Sequence, residues 1–256
     1  LSKEALERRA QRKVAVTSSD IPISESYIDS LSSTGAEPVA QSKWMSTVVM
    51  NSPDSLVVDK LKALSFVDSV KWVWKGEADY PKNLEPDTSK FYPSDLPVAN
   101  YYGQADSQIS MLNGVKLHQA GFRGQGMRIA VIDAGFRNVN CISVFDSLRL
   151  LGTKNIVSPG QSVYESDDHG TKVLSCMAAN SPGVMVGTAP DASYWLIKSE
   201  DNRSEFPVEE DYWVAAVEFA DSVGVDVITS SLGYFMFDTE DSVYSQCSLD
   251  GKTALI

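Results

Sequence analysis

An acidic residue and a histidine stand where acid–base chemistry could use them. Asp133 ends the apolar run 127–132, which is rich in β-branched residues, and His169 precedes a Gly-Thr pair. The run predicts a buried parallel strand, and catalytic groups of open α/β sheets gather at the carboxyl ends of such strands. The residues after His169 predict a helix whose first turn carries the imidazole. Asp133 and His169 are therefore candidates for a pair in which the acid orients a general base.

Two other roles for His169 stay open at this point. With Asp133, Asp167 and Asp168, His169 could hold a metal ion. One histidine among carboxylates is an unusual ligand set for zinc, and His118 falls in a separate predicted helix. The imidazole could also serve only to stabilise a turn, because residue spacing alone does not separate that role from a general base.

The elements that must position the pair follow two patterns. Up to residue 75, helical periodicity alternates with strand-like alternation, which describes a small α+β unit. From residue 115, strands are separated by amphipathic helices, which predicts a mainly parallel, doubly wound sheet and therefore an α/β fold class. The predicted helices cover 1–13, 24–31, 53–64, 115–120, the stretch after His169 and 209–223; the predicted strands cover 44–50, 67–75, 128–133, 193–198 and 226–231.

A stretch without periodicity separates the two patterns. Four prolines are scattered among Asp, Asn, Ser and Tyr residues between residues 77 and 102. Such composition is typical of a linker or an extended arm. The sequence therefore predicts a division into an α+β domain at 1–76, a linker at 77–100 and an α/β domain at 101–256.

Composition excludes several classes of partner. The 256 residues carry a formal net charge of -12, and nucleic acids or anionic membranes require clustered Lys and Arg. The one basic cluster, residues 3–13, is interleaved with Glu4 and Glu7 and predicts a solvated helix. No apolar run is long enough for a membrane span. The three cysteines have no paired spacing, so they indicate buried thiols and neither a disulfide framework nor a zinc site.

The glycine-rich residues 121–126 favour a tight turn. A dinucleotide-binding loop follows its strand, so that the phosphate meets the start of a helix, whereas this segment precedes the predicted strand. No cofactor is predicted from it.

Four short motifs, in this order and at these intervals, resemble those of the subtilisin-like serine protease (subtilase) family. They are Val131-Ile132-Asp133-Ala134-Gly135, His169-Gly170-Thr171, Gly187-Thr188-Ala189-Pro190 and Ser230-Ser231-Leu232-Gly233. The resemblance covers about residue 101 to the end, as the first half of a catalytic domain. It implies that Asp133 and His169 are the first two members of an Asp, His, Ser triad. It also implies that Ser231, Leu232 and Gly233 lie in the strand that lines the primary specificity pocket and pairs with the substrate backbone.

The first 75 residues are similar to the propeptide of a secreted bacterial branch of the same family. The matching residues are Ala5-Leu6-Glu7-Arg8-Arg9, Ile21-Pro22-Ile23-Ser24, Tyr27 and Ser42-Lys43-Trp44. Such propeptides act as folding templates and as intramolecular inhibitors whose tail lies in the active cleft. The resemblance implies that the arm between residues 77 and 102 contains the maturation cleavage.

Two departures from the family pattern qualify the expected activity. Lys172 stands where subtilisins usually have a second histidine, and the chain stops at Ile256 before the family's oxyanion asparagine and its Gly-Thr-Ser-x-Ala nucleophile motif. We therefore expect a precursor fragment that is inactive alone, cut at both ends from a secreted or cell-surface bacterial endopeptidase whose signal peptide lies outside this chain. The alternative, from another functional class, is a catalytically silent binding module that keeps the fold.

The resemblance also sets expectations for ligands. Triad hydrolysis of protein or peptide substrates requires no cofactor and no catalytic metal. A structural calcium ion, which such proteases can bind, is not assignable to particular residues of this sequence.

Overall fold

The computed structural model describes residues 1–74, 100–238, 244–248 and 250. The amino-terminal part consists of α1 (Lys3–Arg12), α2 (Glu25–Ser32), β1 (Glu37–Ser42), β2 (Thr47–Asn51) and α3 (Ser55–Lys62). The second part consists of α4 (Asp106–Met111), α5 (Gly114–Gln119), β3 (Arg128–Asp133), β4 (Arg149–Asn155), α6 (His169–Ala178), β5 (Asn180–Ser181), β6 (Met185–Val186), β7 (Ser193–Lys198), α7 (Val208–Ser222) and β8 (Val227–Ser230).

A four-stranded parallel sheet organises the second part. Its strand order is β4-β7-β3-β8, so β3 lies inside the sheet and ends beside β7, with Asp133 opposite Lys198. A strand with neighbours on both sides and helices on both faces reads as a continuous apolar run, which is why 129–132 lacks polar residues. The predicted α/β fold class is confirmed.

The two faces of β3 pack against different helices. Ile129 and Val131 belong to the core that contains Leu174 of α6. Ala130 and Ile132 belong to the opposite core, which contains Ala216 and other residues of α7. The sheet is therefore covered on both sides, and α6 is held against the strand that ends at Asp133.

Two longer edge strands, β1 and β4, and the two-residue strands β5 and β6 were missed, and one predicted strand is wrong. β1 and β4 were not predicted because their side chains are largely exposed and do not alternate between apolar and polar. The strand predicted for 67–75 does not form in the described portion, 67–74. There Val67 closes a turn on Leu64, and Val73 bonds the start of α7 instead of a neighbouring strand.

The turn between β1 and β2 binds the second part through one carboxylate. Glu218 of α7 accepts hydrogen bonds from Ser42 Oγ at 2.5 Å and from the backbone N–H groups of Lys43 and Trp44, both at 3.0 Å. A carboxylate suits this place because successive N–H groups of a turn converge on one anion. The contact fixes the amino-terminal part against α7.

Helix α1 makes a second contact through one face, while most of its residues are exposed, as predicted for a solvated helix. Arg9 bonds Asp221 at 2.6 Å and Asp20 at 2.9 Å, and Arg12 bonds Asp226 at 3.2 Å. A Cβ atom added to Gly224 would lie 2.6 Å from the backbone nitrogen of Ala5, so α1 approaches this glycine closely. The Ser2 side chain caps α1 by accepting a hydrogen bond from the Ala5 N–H.

The expectation of buried cysteines is only partly met. Cys141 is buried, whereas Cys176 and Cys247 are exposed, and all three are free thiols. The domain boundary at 76 and residues 77–99 of the linker lie outside the described residues, and the division into domains stays a prediction.

Candidate active site

Asp133 occupies the last position of β3 and is completely buried. Its Oδ1 accepts a hydrogen bond from the Ala134 backbone N–H at 2.8 Å and lies 2.7 Å from His169 Nδ1. Its Oδ2 is buried and has no hydrogen-bond partner among the described residues. The carboxylate is thus aimed at the imidazole by the end of a buried strand.

His169 is the first residue of α6, as the sequence predicted. The Asp167 side chain accepts a hydrogen bond from the His169 backbone N–H at 2.6 Å, which satisfies one of the free donors at the helix start. Because an ionised carboxylate can only accept, the proton of the imidazole lies on Nδ1. The side chain is 48% exposed, so Nε2 is available to a substrate or nucleophile.

Gly170 allows α6 to approach the end of β3 this closely. A Cβ atom at this position would lie 2.4 Å from the Gly135 carbonyl oxygen and 2.9 Å from Asp133 Cβ. Any side chain would therefore push the helix, and His169 with it, away from the carboxylate. The Gly after the His is a positioning requirement of the pair.

The environment of the pair favours proton transfer. Burial raises the pKa of Asp133, while hydrogen bonds from His169 and Ala134 act in the opposite direction. A buried carboxylate beside an imidazole stabilises the imidazolium that forms when Nε2 accepts a proton. The arrangement can therefore orient and support a general base.

The other residues considered for this site have different roles. Lys172 pairs with Asp168 at 2.8 Å on the exposed surface of α6, and this bond lowers the pKa of Asp168. His118 is buried in α5, where its ring nitrogens bond the Tyr102 hydroxyl and the Thr188 carbonyl. No group of three or more metal-ligating residues with suitable geometry occurs among the described residues. The metal alternative therefore gains no support there.

Ser231, Leu232 and Gly233 continue β8 beyond the carboxyl edge of the sheet. Within the described portion of the chain, no hydrogen bond reaches their backbone groups. Ser231 and Gly233 are exposed, and a Cβ atom on Gly233 would meet open space. The segment therefore presents free backbone donors and acceptors on the same edge as Asp133.

Sequence reasoning missed three residues at this edge. Glu200 and Glu209 are buried, and the Tyr234 hydroxyl lies 2.6 Å from Glu200 Oε1. The available signal was composition, since residues 199–211 contain six acidic residues and a single cation, Arg203.

Comparison with known proteins decides the family. The model described as "Subtilase family" matches residues 124–254, and the model described as "Peptidase S8 propeptide domain, Bacteroidota" matches residues 1–90. This chain belongs to the subtilase family. Its amino-terminal part matches a propeptide domain of the same peptidase class, as the sequence resemblance implied.

Individual relatives agree with this assignment. The subtilase chain is 32% identical to subtilisin E of Bacillus subtilis (strain 168) over 156 residues, which cover 59% of this chain and 39% of the relative. It is 32% identical to the thermostable alkaline protease of Halalkalibacterium halodurans over 127 residues, or 49% of this chain and 33% of the relative. The chain thus spans two fifths or less of the length of these relatives.

A solved structure, the crystal structure of MycP1 from the ESX-1 type VII secretion system, matches at 19% identity with a TM-score of 0.37. The match covers 55% of this chain and 39% of that one. No described helix of the subtilase chain is long and apolar enough to cross a membrane.

Proposed function

We propose that this chain is part of the precursor of a secreted subtilisin-like serine endopeptidase. The observation that carries the proposal is the 2.7 Å contact between Asp133 Oδ1 and His169 Nδ1 in a chain of this family. In the proposed reaction, Asp133 holds the imidazole in one tautomer, and His169 Nε2 takes the proton of a serine hydroxyl and returns it to the leaving amine. The serine and the oxyanion donors are supplied by sequence beyond residue 256, and no cofactor is required.

The substrate is an extended protein or peptide segment. Its backbone pairs with the free N–H and C=O groups of Ser231–Gly233, as a strand adds to the edge of a sheet. The segment continues β8, which pairs with β3, and β3 ends at Asp133 beside His169. This placement supports the assignment.

The amino-terminal part acts as an intramolecular inhibitor. Its last described residues run to the start of α7, where the Val73 carbonyl accepts a hydrogen bond from the Val208 N–H at 3.1 Å and Trp74 packs edge-on against Phe206. These contacts place Trp74 against the loop that joins β7 to α7 at the carboxyl edge of the sheet. The propeptide match over 1–90 supports this role.

A peptide library tests the proposal on the full-length protein after removal of the amino-terminal part. We expect endopeptidase turnover that is lost in His169→Ala and retained in Lys172→Ala, whose side chain touches only Asp168 among the contacts described. Binding of peptides without turnover, unchanged by His169→Ala, would favour a silent binding module and contradict the proposal.

A further inference from the structure

Two buried glutamates lie at the carboxyl edge of the sheet, beside the proposed substrate strand. Glu200, two residues after β7, is 8% exposed, and Glu209, in the first turn of α7, is 2% exposed. Tyr234, which directly follows Gly233, donates its hydroxyl to Glu200 Oε1 at 2.6 Å and lies 3.4 Å from the Glu209 carbonyl oxygen. The pair is thus tied to the end of the segment that we assign to substrate binding.

One carboxyl oxygen of Glu209 has no hydrogen-bond partner among the described residues. Its Oε1 accepts a hydrogen bond from the Asp201 N–H at 2.7 Å, but its Oε2 is buried without a hydrogen-bond partner in the described part of the chain. Burial raises the pKa of Glu209 to about 8, and the negative charges of Glu200, Glu205 and Asp201 act in the same direction. A buried carboxyl oxygen without a donor is costly, so this place suits a ligand that brings donors and positive charge.

The cationic side chains of Arg203 and Lys198, described near Glu209, do not bond its Oε2. Arg203 is engaged with Asp201 through two hydrogen bonds. Lys198, at the end of β7, is buried, and burial lowers its pKa, although Asp201 and Glu209 favour its charged form. No metal-ligating group of three residues occurs within the described ranges. Among the described residues the place is therefore left open to a cation carried by a substrate.

We infer that Glu200 and Glu209 form the floor of a subsite that takes an arginine side chain of the peptide lying along Ser231–Gly233. This inference rests on the proposed endopeptidase function. A guanidinium carries five planar donors and can bond a carboxylate through two of them while a third reaches Tyr234. Tyr234 covers Glu200, so its ring moves aside or stacks on the arriving guanidinium. The subsite lies between the end of β7 and the start of α7, beside Tyr234.

Paired peptides test the inference on the matured full-length protein. Each pair differs only by arginine or its neutral isostere citrulline at one of the positions before the scissile bond, and kcat/KM is measured for both members. We expect arginine to be favoured by about tenfold or more at one position, since loss of one partner of a buried charge pair is costly. Glu200→Gln and, separately, Glu209→Gln should bring this ratio close to one by lowering kcat/KM for the arginine peptide.

The matched control is Asp146→Asn, which makes the same acid-to-amide change just before β4, at the opposite edge of the sheet, and should keep the arginine preference. Equal kcat/KM for arginine and citrulline at every position, or a preference that survives both glutamate substitutions, would overturn the inference and leave the proposed function intact. A matured protein that hydrolyses no peptide would overturn both.

Discussion

Asp133 acts on His169 through a single hydrogen bond of 2.7 Å, and its loss is testable. In Asp133→Asn the side-chain amide donates to Nδ1, so the imidazole proton moves to Nε2 and the base can no longer accept a proton. We expect kcat of the matured full-length protein to fall by about 10⁴-fold with little change in KM. The exposed Asp168→Asn serves as the control and should keep kcat. A kcat for Asp133→Asn within about tenfold of the unmodified protein would contradict the assigned role.

Glu209 makes stability depend on pH in a direction opposite to that of an ion-paired acid. The unfolded chain releases this proton near the ordinary value of 4.5, whereas the folded chain holds it to about pH 8. Between these values the unfolded state binds fewer protons, so the free energy of unfolding falls as pH rises, by at most ~1.4 kcal/mol per pH unit.

Glu209→Gln should reduce this slope. Urea unfolding of the 256-residue chain at several pH values from about 5 to 8 measures it, with Asp146→Asn as a control that keeps the slope. Equal slopes for the Glu209→Gln variant and the unmodified chain would show that Glu209 is not buried in its protonated form.

Single residues differ in how far sequence alone predicts them. Asp133 and His169 could be found because each stands at the end of an element whose pattern is local. Glu200 and Glu209 could not, because their burial depends on Tyr234, which lies 34 and 25 positions away along the chain. Acidic residues in a loop ordinarily predict exposure, and only the tertiary contact reverses that expectation.

At the scale of elements, a local apolar or β-branched pattern separates what was predicted from what was missed, since β8 lies at a sheet edge and was still predicted. β3 and β7 read as apolar runs and were predicted within a residue of their bounds, and α6 and α7 follow helical periodicity. β1 and β4 lie at the edges of their sheets, so the main signal for them is backbone pairing, which a single sequence does not display. The segment 67–74 alternates like a strand, yet among the described residues its backbone bonds only Leu64 and Val208 and no neighbouring strand.

The Glu218 contact between α7 and the β1–β2 turn gives a prediction at this scale. Glu218→Gln keeps the side-chain shape but removes the charge and turns one acceptor into a donor that faces N–H groups. Hydrogen exchange at the Lys43 and Trp44 backbone amides should quicken by about tenfold or more, because hydrogen bonds to a charged group contribute roughly 1.5–3 kcal/mol each. Asp59→Asn, on the exposed side of α3, should leave both amides protected. Unchanged exchange in Glu218→Gln would contradict the contact.

At the scale of the whole molecule, two of the contacts between the amino-terminal part and α7 lie in the last turns of that helix. One is Glu218 with the β1–β2 turn, and the other is α1, whose Arg9 joins Asp20 to Asp221. Both contacts lie away from His169, so the part can remain docked whatever occupies the active edge. This arrangement suits an inhibitor whose body is anchored and whose tail alone enters the cleft.

Arg9→Ala tests the α1 contact. The Arg9 side chain is only 14% exposed, and its removal leaves Asp20 without its ion-pair partner and Asp221 with only the more distant Arg8, at 3.9 Å. We expect the free energy of unfolding of the 256-residue chain to fall by about 2 kcal/mol, below the roughly 3–5 kcal/mol for a fully buried pair. Lys3→Ala breaks the exposed Lys3–Glu7 pair and should cost about 1 kcal/mol or less. Equal effects of the two substitutions would contradict the difference in burial.

The central claim is that Asp133 and His169 activate a serine that lies beyond residue 256. Labelling with a fluorophosphonate probe tests it most directly, because the probe reacts covalently with a serine only where a base activates the hydroxyl. The matured full-length protein should be labelled stoichiometrically at a serine after Ile256, its His169→Ala variant should lose labelling, and the 256-residue chain alone should not be labelled. Labelling of a serine within residues 1–256, or labelling of the full-length protein that persists in His169→Ala, would contradict the account.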